Sequence, residues 1–122
     1  MFIEIDFNSD EAIYVQLRNQ IIVAIATSKL KEGESLPSVR SLADDIGVNM
    51  HTVNKAYSSL RQDGFLKVDR RKGAIVSVDI DKIKYLDKVR CALKPLVASC
   101  IAKGITKDEA RELIGQLYDE LS

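Results

Sequence analysis

Two cysteines and a single histidine give this chain little material for metal or disulfide chemistry. Cys91 and Cys100 stand nine apart in a predicted helix, a span of about 13 Å and too long for a bridge along a straight helix. Neither has a companion cysteine, and His51 has no second ligand at useful spacing, so no zinc site is expected. Both thiols are expected to be small core or interface residues. No apolar run approaches the roughly 20 residues that cross a bilayer. The acidic start, Met1-Phe2-Ile3-Glu4-Ile5-Asp6, lacks the basic region, apolar core and cleavage site of a signal peptide, so a cytoplasmic protein is expected. Gly33, Gly47, Gly64 and Gly73 fall into no phosphate-loop spacing. No nucleophile–base–orienter set is present, so neither enzymatic activity nor a cofactor is expected.

Net charge is also absent, with 18 basic and 18 acidic residues. The distribution is uneven, however. From Met1 to Asn49 there are four cations against eight anions, whereas Met50 to Val78 holds six (Lys55, Arg61, Lys67, Arg70, Arg71, Lys72) against two. Asp79 to Ser122 carries eight of each. One stretch of about thirty residues thus concentrates positive charge, as a phosphate-binding surface requires.

Residues 2–9 alternate roughly and predict an extended arm. Ile13, Leu17, Ile21 and Ile25 form one apolar stripe, predicting a helix over about Glu11–Ser28 capped by Ser9 or Asp10. Lys31-Glu32-Gly33-Glu34 reads as a loop. A short helix over Ser38–Ile46 follows Pro37, can be capped by Ser38, presents Val39, Leu42, Ala43 and Ile46 on one face and closes at Gly47. Asn49 can cap a third helix to about Asp63, with Val53, Ala56, Tyr57 and Leu60 inward and Met50, His51, Asn54, Lys55 and Ser58 outward. Strands Phe65–Val68 and Ala74–Val78 flank the turn Asp69-Arg70-Arg71-Lys72-Gly73. The remainder predicts two amphipathic helices: Leu86, Val89, Leu93, Val97 and Ile101 line the first, where Pro95 should kink the helix or offset its register. Thr106 and Glu109 open the second as a capping box, with Leu113, Leu117 and Leu121 on its apolar face. Two such helices cannot bury both faces alone, which predicts contact with the first domain or a second copy.

Helix, short helix, tight turn, helix and basic hairpin make the order of a winged helix-turn-helix, in which one helix enters the major groove and the hairpin reaches phosphates or the minor groove. The stretches Ile13-Tyr14-Val15-Gln16-Leu17, Leu36-Pro37-Ser38-Val39-Arg40-Ser41-Leu42-Ala43 and Gly47 to Tyr57, with Leu60, Gly64 and the Arg-Arg-Lys-Gly wing, resemble the GntR family of bacterial regulators. The short two-helix tail resembles its YtrA-like subfamily. The resemblance implies a repressor that dimerises through the tail on an inverted-repeat operator. It implies DNA contact from Arg40, polar contacts from Asn49, His51 and Thr52, and a wing tip at Gly73. Met50 and Asn54 stand where several members carry arginine.

The expected fold is therefore mainly α with one small β-hairpin: a winged helix-turn-helix domain over residues 1–78 and a helical dimerisation tail over 79–122. The candidate DNA-contacting set is Ser38, Arg40, Asn49, Met50, His51, Thr52, Asn54, Lys55, Arg70, Arg71, Lys72 and Gly73. Asn54 suits adenine, Lys55 phosphate or guanine, and the three wing cations phosphate. The dimerisation set is Leu86, Val89, Leu93, Val97, Ile101, Leu113, Leu117 and Leu121. The expected partners are double-stranded operator DNA and a second copy, with no membrane; a small-molecule effector pocket, between subunits or beside the DNA-binding domain, stays open. A winged-helix protein adaptor is the alternative, but it calls for an apolar outward face over residues 50–58, and that face is polar.

Overall fold

The apolar spacings translate into helices whose buried stripes meet. In the computed structural model, which describes residues 3–122, the elements are α1 (Ile13–Ala26), α2 (Val39–Ile46), α3 (Met50–Gln62), β1 (Leu66–Asp69), β2 (Gly73–Val76), α4 (Lys82–Ala102) and α5 (Lys107–Leu121). They divide into a unit ending at Asp79 and a second unit, Ile80–Ser122. The winged helix-turn-helix order, mainly helical with one hairpin, is present.

In the first unit, Leu17 and Ile21 of α1 meet Leu42 and Ala43 of α2 and Val53, Ala56, Tyr57 and Leu60 of α3 in one core. Leu17, Ile21, Val53 and Leu60 are wholly shielded from solvent, and each such aliphatic side chain stabilises the fold by roughly 1.5–3 kcal/mol. Between α2 and α3 the chain must reverse within three residues. Gly47 makes this possible with φ +71°, a left-handed conformation costly for any residue with a Cβ. The Val48 N–H then donates to the Ala43 carbonyl at 3.0 Å, and Asn49 Oδ1 accepts the His51 N–H at 2.8 Å to start α3.

β1 and β2 pair antiparallel from Leu66↔Val76 to Asp69↔Gly73. Pairing continues past the strand ends, where Ser77 N–H donates to Phe65 O (3.0 Å) and Asp79 N–H to Gly64 O (2.7 Å). Gly64 has φ +81°, and a Cβ there would lie 2.8 Å from that of Asp79, so two constraints require glycine. The outer edge of β2 is occupied by the segment read above as a loop. Gly33 N–H donates to Val76 O, Val76 N–H to Glu34 O, and Leu36 N–H to Ala74 O, at 2.8–2.9 Å. Only Leu36 of this segment is buried, so no alternation announced it.

The helix expected to start near Glu11 starts at Ile13, and neither Ser9 nor Asp10 caps it: the N-cap is Ala12, with no side-chain bond. Ser9 instead closes a local turn, its Oγ accepting the Glu11 N–H at 3.1 Å. Of the predicted arm, Phe2 lies outside the described residues, while Ile3 and Ile5 pack on the core. Two glutamines hold the arm. Gln16 accepts from Asp6 N–H (2.9 Å) and donates to Asp6 O (3.0 Å) and Glu11 O (2.9 Å). Gln20 makes the same reciprocal pair with Glu4. The pitch explains it: helix positions i and i+4 are about 6 Å apart and strand positions i and i+2 about 6.8 Å, so the two carboxamides match alternate arm residues.

In the second unit, α4 is continuous through Pro95, which brings no N–H to the Cys91 carbonyl. Asp81 caps α4, its Oδ1 accepting the Lys84 N–H at 3.2 Å. Thr106 and Glu109 form the expected capping box: Thr106 Oγ1 accepts the Glu109 N–H (3.1 Å) and Glu109 Oε1 accepts the Thr106 N–H (3.0 Å). Those bonds hold the Glu109 carboxyl below its ordinary value. Neither helix contains a buried residue.

Arg18 fastens α1 to the end of α3: its guanidinium reaches Asp63 Oδ2 at 2.6 Å and Ser59 Oγ at 3.0 Å, with the Asp63 side chain only 11% exposed. Replacing Arg18 with Met keeps the aliphatic stem but strips this shielded carboxylate of its cation. The expected loss is about 2 kcal/mol, read as a lower urea midpoint at unchanged m-value; an unchanged midpoint would assign the pair no part in stability.

Candidate nucleic-acid interface

Burial of Val53, Ala56, Tyr57 and Leu60 turns the opposite side of α3 to solvent. Met50, His51, Asn54 and Lys55 are exposed, Thr52 is half-buried, and Asn49 stands exposed as the cap. Arg40 projects from the first turn of α2 into solvent. Ser38 is exposed too, and its Oγ accepts the Ser41 N–H at 3.1 Å as the cap of α2. Ser58, expected to face outward, is half-buried.

At the hairpin tip Arg70, Arg71, Lys72 and Gly73 are all exposed. Asp69 organises them: its Oδ1 accepts the N–H groups of Arg71 (2.8 Å) and Lys72 (3.0 Å). These two bonds, with the charges of Lys72 and Lys67, hold its carboxyl below the ordinary aspartate value. The acid of the wing is thereby spent on the backbone, and the cations project outward.

Three further features were not read from the sequence as parts of the site. Lys55 Nζ lies 4.1 Å from the Tyr14 ring centroid, within cation–π range, so α1 helps to set where this ammonium sits. Tyr57, expected only to pack, also donates from its hydroxyl to the Pro37 carbonyl at 2.8 Å. Its burial pushes the phenol's proton affinity up, so it stays a donor. Third, a cleft of about 250 Å³ opens between α3 and the hairpin, lined in part by Ser38, Asn54, Ser58, Arg61 and Lys67. The signal for it was present, since positions 54, 58 and 61 repeat at helical spacing. Among the described residues no group of His, Cys, Asp and Glu sits where it could hold a metal ion, and no helix is long and apolar enough to cross a membrane.

The Tyr57–Pro37 bond joins α3 to the start of α2, which carries Ser38 and Arg40. Tyr57→Phe is expected to cost about 1 kcal/mol in stability and to weaken DNA binding severalfold at temperatures where the variant is fully folded. Unchanged affinity in the folded variant would restrict the bond to a stabilising role.

Residues 10–76 match the family described as bacterial regulatory proteins, gntR family. The HTH-type transcriptional repressor YtrA of Bacillus subtilis is 30% identical over 118 residues, covering 94% of this chain and 91% of the relative. A structure described as a transcriptional antiterminator from Listeria monocytogenes superposes with a TM-score of 0.87 at 28% identity, covering 99% of this chain and 92% of that one. That of YtrA from Sulfolobus acidocaldarius, a GntR-family transcription factor, is 37% identical with a TM-score of 0.63 and covers 97% of each chain. The two YtrA proteins are named as a transcriptional repressor and a transcription factor, not as enzymes. With its basic, outward-facing helix and hairpin, this chain belongs to the gntR family and is a DNA-binding transcriptional regulator of the YtrA-like kind.

Proposed function

We propose that this regulator acts in the cytoplasm as a homodimeric repressor on an inverted-repeat operator. The observation that carries DNA contact is the exposed polar start of α3 beside a hairpin tip bearing three exposed cations. In this reading His51, Thr52 and Asn54 meet base edges, with Met50 beside them. Arg40, Lys55, Arg70, Arg71 and Lys72 meet phosphates, while Ser38, Asn49 and Gly73 shape the backbone that presents them. Likeness to a protein named as a repressor supports repression.

The second copy is inferred from the tail. Leu86, Leu93, Val97, Ile101, Leu113, Leu117 and Leu121 are exposed, and Val89 is half-buried. A groove of about 840 Å³ runs along α4, lined by Ile83, Leu86, Val89, Leu93 and Val97 with Asp87, Arg90 and Lys94 at its edge. So much apolar surface on two helices calls for a partner, and a two-fold dimer supplies one while pairing two recognition helices with two half-sites.

Binding to duplexes selected from a randomised library, measured against salt, tests the DNA reading. Five phosphate contacts per protomer (Arg40, Lys55, Arg70, Arg71, Lys72) predict a log–log slope of about −9 for a dimer. Arg71→Ala should weaken all duplexes alike, whereas Asn54→Ala should alter the order of preference; an unaltered order would remove Asn54 from the base readers. For the tail, Leu93→Asp should shift the solution mass from two chains to one and abolish tight operator binding. Retention of the two-chain mass by this variant and by Leu117→Asp would refute the tail interface.

A further inference from the structure

We propose that α5 of one copy seats its apolar face in the α4 groove of a second copy, and that the opposite charges of the two helices select this pairing. The proposal rests on the homodimer reading and names the surfaces that meet. Three observations carry it.

First, α5 leaves the groove of its own chain open. The chain turns out of α4 at Gly104, φ +79°, whose N–H donates to Ile101 O (3.1 Å) while the Ile105 N–H donates to Cys100 O (2.9 Å). The capping box at Thr106 then starts α5 at once, so the direction in which it leaves is fixed. In that direction α5 has no extended contact with α4. Leu113, Ile114, Leu117, Tyr118 and Leu121 remain 40–71% exposed.

Second, the two surfaces match in length. From Ile83 to Val97 the groove runs about 21 Å, and the 15 residues of α5 span about 22 Å. Each copy offers one groove and one α5. Two such contacts close on themselves about a two-fold axis and leave neither face open.

Third, the even charge of the tail conceals a split. α4 holds five cations and one acid, whereas α5 holds two cations and five acids. Arg90 and Lys94 line the groove with a single acid, Asp87. On α5, Glu120 stands one turn beyond Leu117 and borders the apolar stripe. Two α4 grooves placed face to face would carry a surplus of like charge, whereas α5 brings acids to the cations. Apolar burial supplies the hold, and the charges decide which helix is taken up.

The experiment measures the solution mass and dissociation constant of the full chain at low salt, where charge is least screened. The proteins are wild type, Arg90→Glu/Lys94→Glu, Glu112→Lys/Glu120→Lys, an equimolar mixture of these two variants, and one chain carrying all four exchanges. Each pair alone sets like charges against each other, so its self-association should weaken about tenfold or more. In the mixture and in the fourfold variant opposite signs meet again. The mixture should therefore form a two-chain species containing one of each, identified by native mass, and the fourfold variant should self-associate as the wild type does. Full-strength self-association of Glu112→Lys/Glu120→Lys would put α5 outside the interface. A mixture and a fourfold variant no stronger than the separate pairs would deny the charge pairing. Either result overturns the proposal while the homodimer stands; a wild type of one chain would bring down the homodimer reading with it.

Discussion

The rotational setting of α3 is the constraint on which the first unit depends. Val53, Ala56, Tyr57 and Leu60 can be buried together in only one orientation of the helix. A turn of 100°, one residue's worth, would carry Asn54 towards the core and bring Val53 towards water. Neighbouring elements guard that setting at several points. Arg18 clamps the C-terminal end of α3 through Asp63, and Tyr14 lies under Lys55. The Tyr57 hydroxyl fixes the approach to α2. The polar face is thus a by-product of apolar burial, and its position is as secure as the core beneath it.

Features with a strong local cause were legible in the sequence. The stripes of α1 and α3, the capping residues Ser38, Asn49 and Thr106, and the turn at Gly47 each declare themselves within a few residues. The cap of α1 was misread because Ser9 had a nearer donor in Glu11. Gly33–Leu36 was hidden because its partner, β2, lies some forty residues on and only one side chain is buried. The Gln16 and Gln20 clasps have the same origin: a glutamine facing a distant backbone resembles any polar helix residue until the two are adjacent. Much the same holds for the candidate site. Exposure of its residues followed from helical phase. Which neighbours hold them, as with Tyr14 and Lys55, depends on packing between elements far apart in sequence.

Charge follows this division of labour. The stretch from Met50 to Val78 is basic and supplies α3 and the hairpin, while the preceding one, which supplies α1 and α2, is acidic. A chain with no net charge can therefore offer a strongly biased surface to a polyanion while the rest of it attracts little. The tail, balanced in sign, is set apart by its apolar exposure instead. Any partner of such a surface would be held by shape and burial, which salt affects weakly.

The hairpin carries a further consequence. Gly33–Leu36 occupies one side of β2, and β1 occupies the other, so β1 is the border of the small sheet. An open border strand is a template on which foreign strands can add. This one is only four residues long, holds Lys67 and Asp69, and runs into a cationic tip. Its shortness and the charges along it leave an added strand little to pair with, which guards this border against aggregation when no nucleic acid is bound.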